Sequence, residues 1–473
     1  MDRLDPVNAS FDLAVVGGGS AGFAAAIRAA DLGARVALIS GGTLGGTCVN
    51  VGCVPSKTLL RAAEAHHRRA HHGFAGVPSH DGAPDWAAVR AQKDALVQEL
   101  RDSKYRDVLR SYKTITLVEQ RAAFTTDRVL RLGDGAEVTA GTFVIATGAS
   151  PWAPPIAGLA EAGYLDNERA MALERLPQSL IVIGGSTVGL ELAQMVARLG
   201  VKVTVLEALP RIVPAEDDEI GDALGESLQA EGLEIEAGVT VDAVHWQGDY
   251  AVTFRRDGAL RTAHGAQLLV ATGRRANTTD LGLEAAGVAV GAKGEITVDE
   301  FLQTSIPQVY AAGDVIGDPM FVYVAAYGGA LAAENALEGN VRRYDLLALP
   351  RVTFTDPAVA SVGVTEDEAR ARGLDPLASK LPLEHVPRSL AARDTRGFVK
   401  LVAAGATRKI IGAHILAAEA GEMITEPALA IKHGLTIEDL VATFHPYLTL
   451  GEGIRLAAQA FTTDVAKLSC CAA

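Results

Sequence analysis

Four cysteines in 473 residues is a small number, and they are unevenly placed: Cys48, Cys53, Cys470 and Cys471 form two close pairs at opposite ends of the chain. That arrangement is not a structural disulfide framework and fits a reducing compartment, the cytoplasm. Positive charge is also scarce. The formal net charge of −14 argues against nucleic acid or an acidic membrane surface as partner. No apolar run is long enough to span a bilayer. The start, Met1-Asp2-Arg3-Leu4-Asp5-Pro6, has neither the basic nor the apolar region of a signal peptide, and no Cys-x-x-Cys precedes Phe11.

Glycine, by contrast, is abundant at 49 residues, and hydrophobic residues make up 49%. This suits a folded α/β protein. The length calls for about three domains at ~150 residues each. The chain is organised around Gly45-Gly46-Thr47-Cys48-Val49-Asn50-Val51-Gly52-Cys53-Val54-Pro55-Ser56-Lys57. Its two cysteines are expected just ahead of a helix running from Thr58 to Ala70, with Pro55 in the first turn. The partial positive charge of a helix N-terminus favours a thiolate at Cys53. A metal clip would want four ligands and tighter spacing. A redox disulfide that opens and closes in turnover is the better reading of a pair set among glycines.

Two stretches repeat one layout. Phe11 to Val16 reads as a buried strand, followed by Gly17-Gly18-Gly19-Ser20-Ala21-Gly22, a small-residue helix to Leu32, and a second strand from Arg35 to Ile39. The second stretch begins at Leu180, turns at Gly184-Gly185-Ser186-Thr187-Val188-Gly189, and ends its next strand at Glu207. A strand, a glycine turn and a helix in that order form a dinucleotide fingerprint, in which backbone approaches a pyrophosphate at the helix N-terminus. An acid usually ends the second strand and accepts from a ribose 2′-OH. Ser40 stands there in the first unit and Glu207 in the second, so the second reads as an NAD-type site. Two such units suggest two different dinucleotides. Strands ending in Thr147-Gly148 and Gly273 close the two units, and a Pro-rich connection from Ser150 to Pro155 separates them. After Tyr344 the character changes to α+β. In the His-rich segment His66, His67, His71 and His72, only His67 and His71 have the i, i+4 spacing of a metal site, and the segment reads as a solvated helix face in preference to one. Trp86 to Tyr112 reads as one long helix that contains Tyr105.

The Gly46–Lys57 stretch, Ala146-Thr147-Gly148 and Ala312-Gly313-Asp314 together resemble the flavoprotein disulfide reductases, over essentially the whole chain. The resemblance implies FAD in the first unit, a nicotinamide nucleotide in the second, and a C-terminal domain that makes a homodimer with a shared active site. The expected fold is α/β, with two Rossmann-like domains and an α+β dimerisation domain. Its boundaries fall at 1–150 plus 276–346 for FAD, 151–275 for NAD(P)H and 347–473 for dimerisation. Carried over, Gly17, Gly19, Ser20, Gly22, Ser40, Gly46, Thr47, Lys57, Thr147, Gly148 and Asp314 hold FAD. Gly184, Ser186, Gly189, Glu207 and Gly273 hold the nicotinamide nucleotide. Cys53 faces the flavin, Cys48 exchanges with substrate, and Lys57 pairs with Glu191.

The tail narrows this resemblance to the mercuric reductase branch. Cys470-Cys471, Tyr447 in His445-Pro446-Tyr447-Leu448-Thr449, and Tyr105 carry it. The implied substrate is Hg(II) as thiol adducts, bound by Cys48, Cys53, Cys470 and Cys471, with Tyr105 and Tyr447 lining its path. Reductases of organic disulfides pair the His of the His-Pro motif with a Glu five residues on. Here that position is Leu450, and Glu452 is the nearest following acid. Hg(II), held by thiolates, needs no such dyad. The branch implies NADPH, whereas Glu207 implies NADH. An organic disulfide reductase, like lipoamide dehydrogenase or a large thioredoxin reductase, is the alternative.

Overall fold

The computed structural model describes residues 10–80 and 82–467. The chain divides into two compact units, Met1–Thr58 with Ala88–Ala153 and Gly273–Asp345, and Leu59–Ala87 with Pro154–Thr272 and Leu346–Ala473.

The chain opens with β1 (Ser10–Val16), α1 (Ser20–Asp31), β2 (Val36–Ile39), α2 (Gly46–Val51) and α3 (Cys53–Arg68). Then come α4 (Trp86–Arg101), a π-helical turn (Asp102–Arg106), α5 (Asp107–Ser111), β3 (Ile115–Val118), β4 (Ala122–Thr126), β5 (Val129–Leu132) and β6 (Glu137–Ile145). The first unit is built on a sheet in the order β3-β2-β1-β6-β5-β4. β6 is long enough to share one edge between two partners: β5 runs antiparallel along its start and the strand Val309–Ala311 runs parallel along its end.

The register places the ends of the parallel strands in one row. Val16 is level with Ile39 and Ile145, Ile39 with Val118, and Ile145 with Ala311. Every loop that follows that row therefore opens on the carboxyl edge of the sheet, where α/β folds bind their ligands. β2 and the carboxyl ends of β1 and β6 are apolar and buried because both faces are covered there. Leu13, Val15, Val36, Leu38 and Val144 pack on one face with α1 and the helix Val322–Glu338. Ala14, Val16, Ile39, Phe143 and Ile145 pack on the other. α1 and the Val322–Glu338 helix meet closely enough that a Cβ on Gly329 would lie 2.0 Å from the carbonyl oxygen of Ala21.

The second unit carries a four-stranded parallel sheet, in the order Glu234–Ala237, Lys202–Glu207, Ser179–Ile183, Gln267–Val270. It also holds a three-stranded antiparallel meander over residues 240–265. A five-stranded antiparallel sheet over residues 351–417 packs its buried Val362, Leu401 and Ile415 with Ile454 and Leu456 of the helix Glu452–Gln459. Among the described residues no helix is long and apolar enough to cross a membrane.

Candidate active site

The first glycine turn leaves no room for side chains. Gly17 adopts φ +124°, and a Cβ there would lie 2.1 Å from the Ala146 carbonyl oxygen; one on Gly22 would lie 1.7 Å from that of Gly17. Gly19 caps α1 without a side-chain hydrogen bond, so the first N–H groups of a twelve-residue helix have no side-chain acceptor. Such a cradle fits a pyrophosphate.

The cysteine stretch docks directly on this turn. The Gly45 N–H donates to the Gly18 carbonyl at 2.8 Å, and a Cβ on Gly46 (φ +63°) would lie 2.6 Å from Gly19 Cα. The structure changes one detail of the sequence expectation. The helix following the pair begins at Cys53 itself, and Cys48 lies in its own short helix, α2, between Gly45 and Gly52. Asn50 holds that helix in place. Its Nδ2 donates to the carbonyls of Leu44 (3.0 Å) and Gly46 (2.8 Å), and its Oδ1 accepts from Arg101 Nε at 2.6 Å. Sequence reading missed both Asn50 and Arg101, because a contact across fifty residues leaves no periodic trace.

The two thiols sit in unlike places. Cys53 is the first residue of a sixteen-residue helix, where the dipole favours negative charge. Cys48 is half-buried, and its neighbour Cys53 together with burial pushes its thiol well above the usual range; Lys57 acts weakly against this. Lys57 lies one turn along α3 from Cys53.

Tyr105 falls in the π-helical turn, a widened turn that is often found at functional sites. Its ring lies 4.6 Å from that of Phe23, and it covers Gly45, where a Cβ would meet its ring carbons at 3.4 Å. Burial and the nearby Cys48 and Cys53 push its phenol up, against a hydrogen bond with Ser20. So Cys48, Cys53, Tyr105 and Ser20 are brought together within the first unit.

Asp314 opens a 3₁₀ turn after the strand Val309–Ala311, on the same carboxyl edge. Burial raises its carboxyl, partly offset by Arg274, whose Nε lies 3.9 Å away. Thr147 donates its hydroxyl to the Asn277 carbonyl at 2.8 Å, and Asn277 Nδ2 donates back to the Thr147 carbonyl at 3.0 Å. The Thr147 hydroxyl thus fastens the chain's return into this unit. Gly148 sits at φ +72°.

The second glycine turn repeats the first. A Cβ on Gly184 (φ +113°) would lie 2.4 Å from the Ala271 carbonyl oxygen, and one on Gly189 would lie 1.9 Å from that of Gly184. Ser186 occupies the N-cap at φ −104°, an ordinary extended conformation, which is why serine is accepted where the first turn has Gly19. Gly273 adopts φ +116°. Glu207 is buried, and its two oxygens accept from the N–H groups of Gly185 (2.6 Å) and Leu209 (2.8 Å). Glu191 is buried and accepts from the Phe354 N–H at 2.9 Å.

Two expectations need correction. His445 does have a carboxylate partner. Its Nε2 lies 2.6 Å from Glu426 Oε1, nineteen residues upstream, and its Nδ1 lies 3.0 Å from the Thr443 carbonyl. Two acceptors call for two ring donors, and Glu426 raises the imidazole's affinity for its second proton. The carboxylate of Glu452 turns instead to the Leu448 N–H, at 3.4 Å. The His-rich segment is not one solvated helix face either: α3 ends at Arg68, so His71 and His72 follow the helix, and His67 is half-buried. His67 stacks on His71 with centroids 4.1 Å apart, and burial with nearby Arg198 lowers His67 to about 4. Tyr447 is exposed, next to the fully exposed Phe444. Cys470 and Cys471 lie outside the described residues.

Comparison with known proteins gives this geometry a family. Residues 11–329 match the pyridine nucleotide-disulphide oxidoreductases and residues 349–458 match the dimerisation domain of that family. A mercuric reductase of Staphylococcus aureus is 46% identical over 463 residues, which cover 98% of this chain and 84% of that protein. One of Streptomyces lividans is 47% identical over 468 residues, 98% of each chain. Among solved structures, the Cu(II) complex of the HOCl-induced flavoprotein disulfide reductase RclA from Escherichia coli superposes with a TM-score of 0.86 and 29% identity, over 96% of this chain and 99% of that one. The chain belongs to the pyridine nucleotide-disulphide oxidoreductases, within the mercuric reductase family.

Proposed function

We propose that the chain reduces Hg(II) to Hg(0), with a reduced nicotinamide nucleotide giving up a hydride: NAD(P)H and Hg(II) become NAD(P)⁺, H⁺ and Hg(0). The observation that carries this is the Cys48–Cys53 pair, docked on a dinucleotide turn in a chain that resembles mercuric reductases over nearly the whole of its own length. FAD fits the glycine cradle, and when bound it would supply a two-electron relay between nicotinamide and sulfur. Gly17, Gly19, Ser20, Gly22, Gly46, Thr47, Gly148 and Asp314 are the residues we assign to it, in a domain of residues 1–150 and 276–346.

The chain's own part is to hold the metal and manage one proton. Cys53 offers a thiolate at the α3 N-terminus. Cys48 keeps its proton until Hg(II) arrives, then loses it as the soft ion is gripped by two sulfurs. Lys57 favours that loss. Tyr105, its phenol held neutral by burial, adds a polar wall without adding charge. Cys470 and Cys471 are assigned the capture of Hg(II) from small-thiol adducts and its transfer to the inner pair of a second copy in a homodimer.

The second dinucleotide site favours NADH. Glu207 would repel a 2′-phosphate. Arg211, the nearest following cation in sequence, is held by Asp218 (2.9 Å) and Asp222 (2.8 Å).

A second reading has one observation behind it. The His445–Glu426 pair supplies an acid/base dyad of the kind that thiol–disulfide exchange uses, so reduction of an organic disulfide is its natural competitor. One assay separates them. The purified yellow protein is given NADH or NADPH with Hg(II) and excess small thiol, and volatile mercury is trapped. Hg(II)-dependent oxidation with recovery of Hg(0) is expected, faster with NADH. Turnover of lipoamide or another disulfide without Hg(0) would replace the first reading with the second.

A further inference from the structure

We propose that Arg121 takes the place of the missing acid in the first dinucleotide site and makes its ribose end cationic; this rests on the reading of that site as the FAD site. The position that usually carries the acid is Ser40, and Ser40 does not face a ligand. It is 4% exposed, its hydroxyl donates to the Gly42 carbonyl at 3.1 Å, and it lies so close beneath the turn that a Cβ on Gly18 would be 2.5 Å from its Oγ. Ser40 thus brings neither a charge nor a spare donor to the ribose.

The next residue is Gly41, and the space where its side chain would stand is filled from elsewhere. A Cβ on Gly41 would lie 2.5 Å from Arg121 Cγ and 3.0 Å from Arg121 Cα. Arg121 follows β3, and the end of β3 is tied to Ser40 by its N–H, which donates to the Val118 carbonyl at 2.9 Å. Arg121 is therefore on the carboxyl edge of the sheet, beside the residue that ends β2. It is exposed and has no ion-pair partner among the described residues. The second site shows the opposite arrangement, with an acid at the strand end and the local arginine engaged by two carboxylates.

Dinucleotide sites of this fold use an acid to accept from a free 2′-OH, and an arginine nearby where the ribose carries a 2′-phosphate. The first site has lost the former and acquired the latter by a route through the third strand. Its guanidinium donates to the ribose oxygens of an adenine dinucleotide and tolerates, rather than repels, a phosphate on them. The ligand class is an adenosine diphosphate whose ribose is free or phosphorylated.

The test uses the full chain stripped of flavin and reloaded. FAD uptake is followed by flavin fluorescence in competition with ADP-ribose or its 2′-phosphate. The 2′-phosphate should compete about tenfold better, the worth of one charge-assisted hydrogen bond. Arg121→Gln should erase that preference and speed FAD release by a similar factor, while Arg121→Lys keeps most of both. Equal competition by the two probes in the parent chain, or a preference that survives Arg121→Gln, overturns the proposal. A parent chain that takes up no FAD at all would overturn the FAD reading itself, a result the competition data would not resemble.

Discussion

The two dinucleotide turns are copies in backbone but differ in the charge of the residue that ends the next strand. In both, the strand after the turn is level with the first strand at its last apolar residue, Ile39 with Val16 and Leu206 with Ile183. In both, the next residue is buried against the second residue of the turn: Ser40 under Gly18, Glu207 under Gly185. Yet one is a neutral hydroxyl bonded to its own loop, and the other is a carboxylate that accepts two backbone N–H groups. The difference teaches that a strand-end acid does two jobs. It selects a ribose, and it braces the glycine turn from below. The first unit gives up the brace and is steadied instead by the cysteine stretch, through Gly45 and Gly46.

The largest effect expected from breaking this pairing comes from one methyl in either turn. Gly22→Ala should give a colourless chain, and Gly189→Ala a yellow one whose KM for NADH rises by about a hundredfold or more, since each methyl would fall within 2 Å of a carbonyl oxygen. Flavin absorbance and NADH titration read the two outcomes; loss of flavin from both variants would mean that the turns are not independent. Next in size is Glu207→Ala. It leaves the Gly185 and Leu209 N–H groups without their acceptor, at a cost of about 1–3 kcal/mol, and should cut the preference for NADH over NADPH roughly tenfold. Denaturant unfolding and the ratio of kcat/KM values test both halves. Ser40→Ala, the matching change, should cost less than half as much.

Asp314 sharpens the contrast through pH. Its folded-state pKa is raised, so burial penalises its ionised form, and the penalty is present above that pKa and gone below the unfolded value of 3.8. Asp314→Asn should therefore raise the Tm of the flavin-free chain at pH 7 by roughly 1–3 °C, with the gain fading as the pH falls toward 3.8. An unchanged Tm at pH 7 would show that the carboxylate is not under strain. The smallest effect is Ser186→Gly. Because Ser186 already has ordinary backbone angles, the change should move stability by only a few tenths of a kcal/mol and NADH binding by less than twofold.

Much of this was legible in the sequence, and the part that was not has a common cause. Glycine turns, apolar strands and the strand-end positions Ser40 and Glu207 are set by neighbours in the chain, and their spacing showed them. Pro55 put the start of α3 near Cys53 in the sequence as well, but not at that residue, because Cys53-Val54-Pro55-Ser56 carries no apolar period that would mark the first turn. The Asn50–Arg101 and His445–Glu426 pairs were invisible because each joins residues on separate elements. The backbone hydrogen bonds of Ser40 and Glu207 were missed for a related reason: a motif gives a residue's position but not the partners of its side chain.

The sheet of the first unit also has a history in time. Ile145 of β6 has its edge partner in Ala311, and the whole second glycine turn with its sheet is encoded between them. At 5–20 residues per second, a ribosome needs roughly 10–30 s to travel from one strand to the other. For that interval the newborn sheet carries an open parallel edge, the kind of surface that recruits wrong strands. The carboxyl edge of this sheet is thus completed last, and Gly313 and Asp314 reach it only when the final strand arrives.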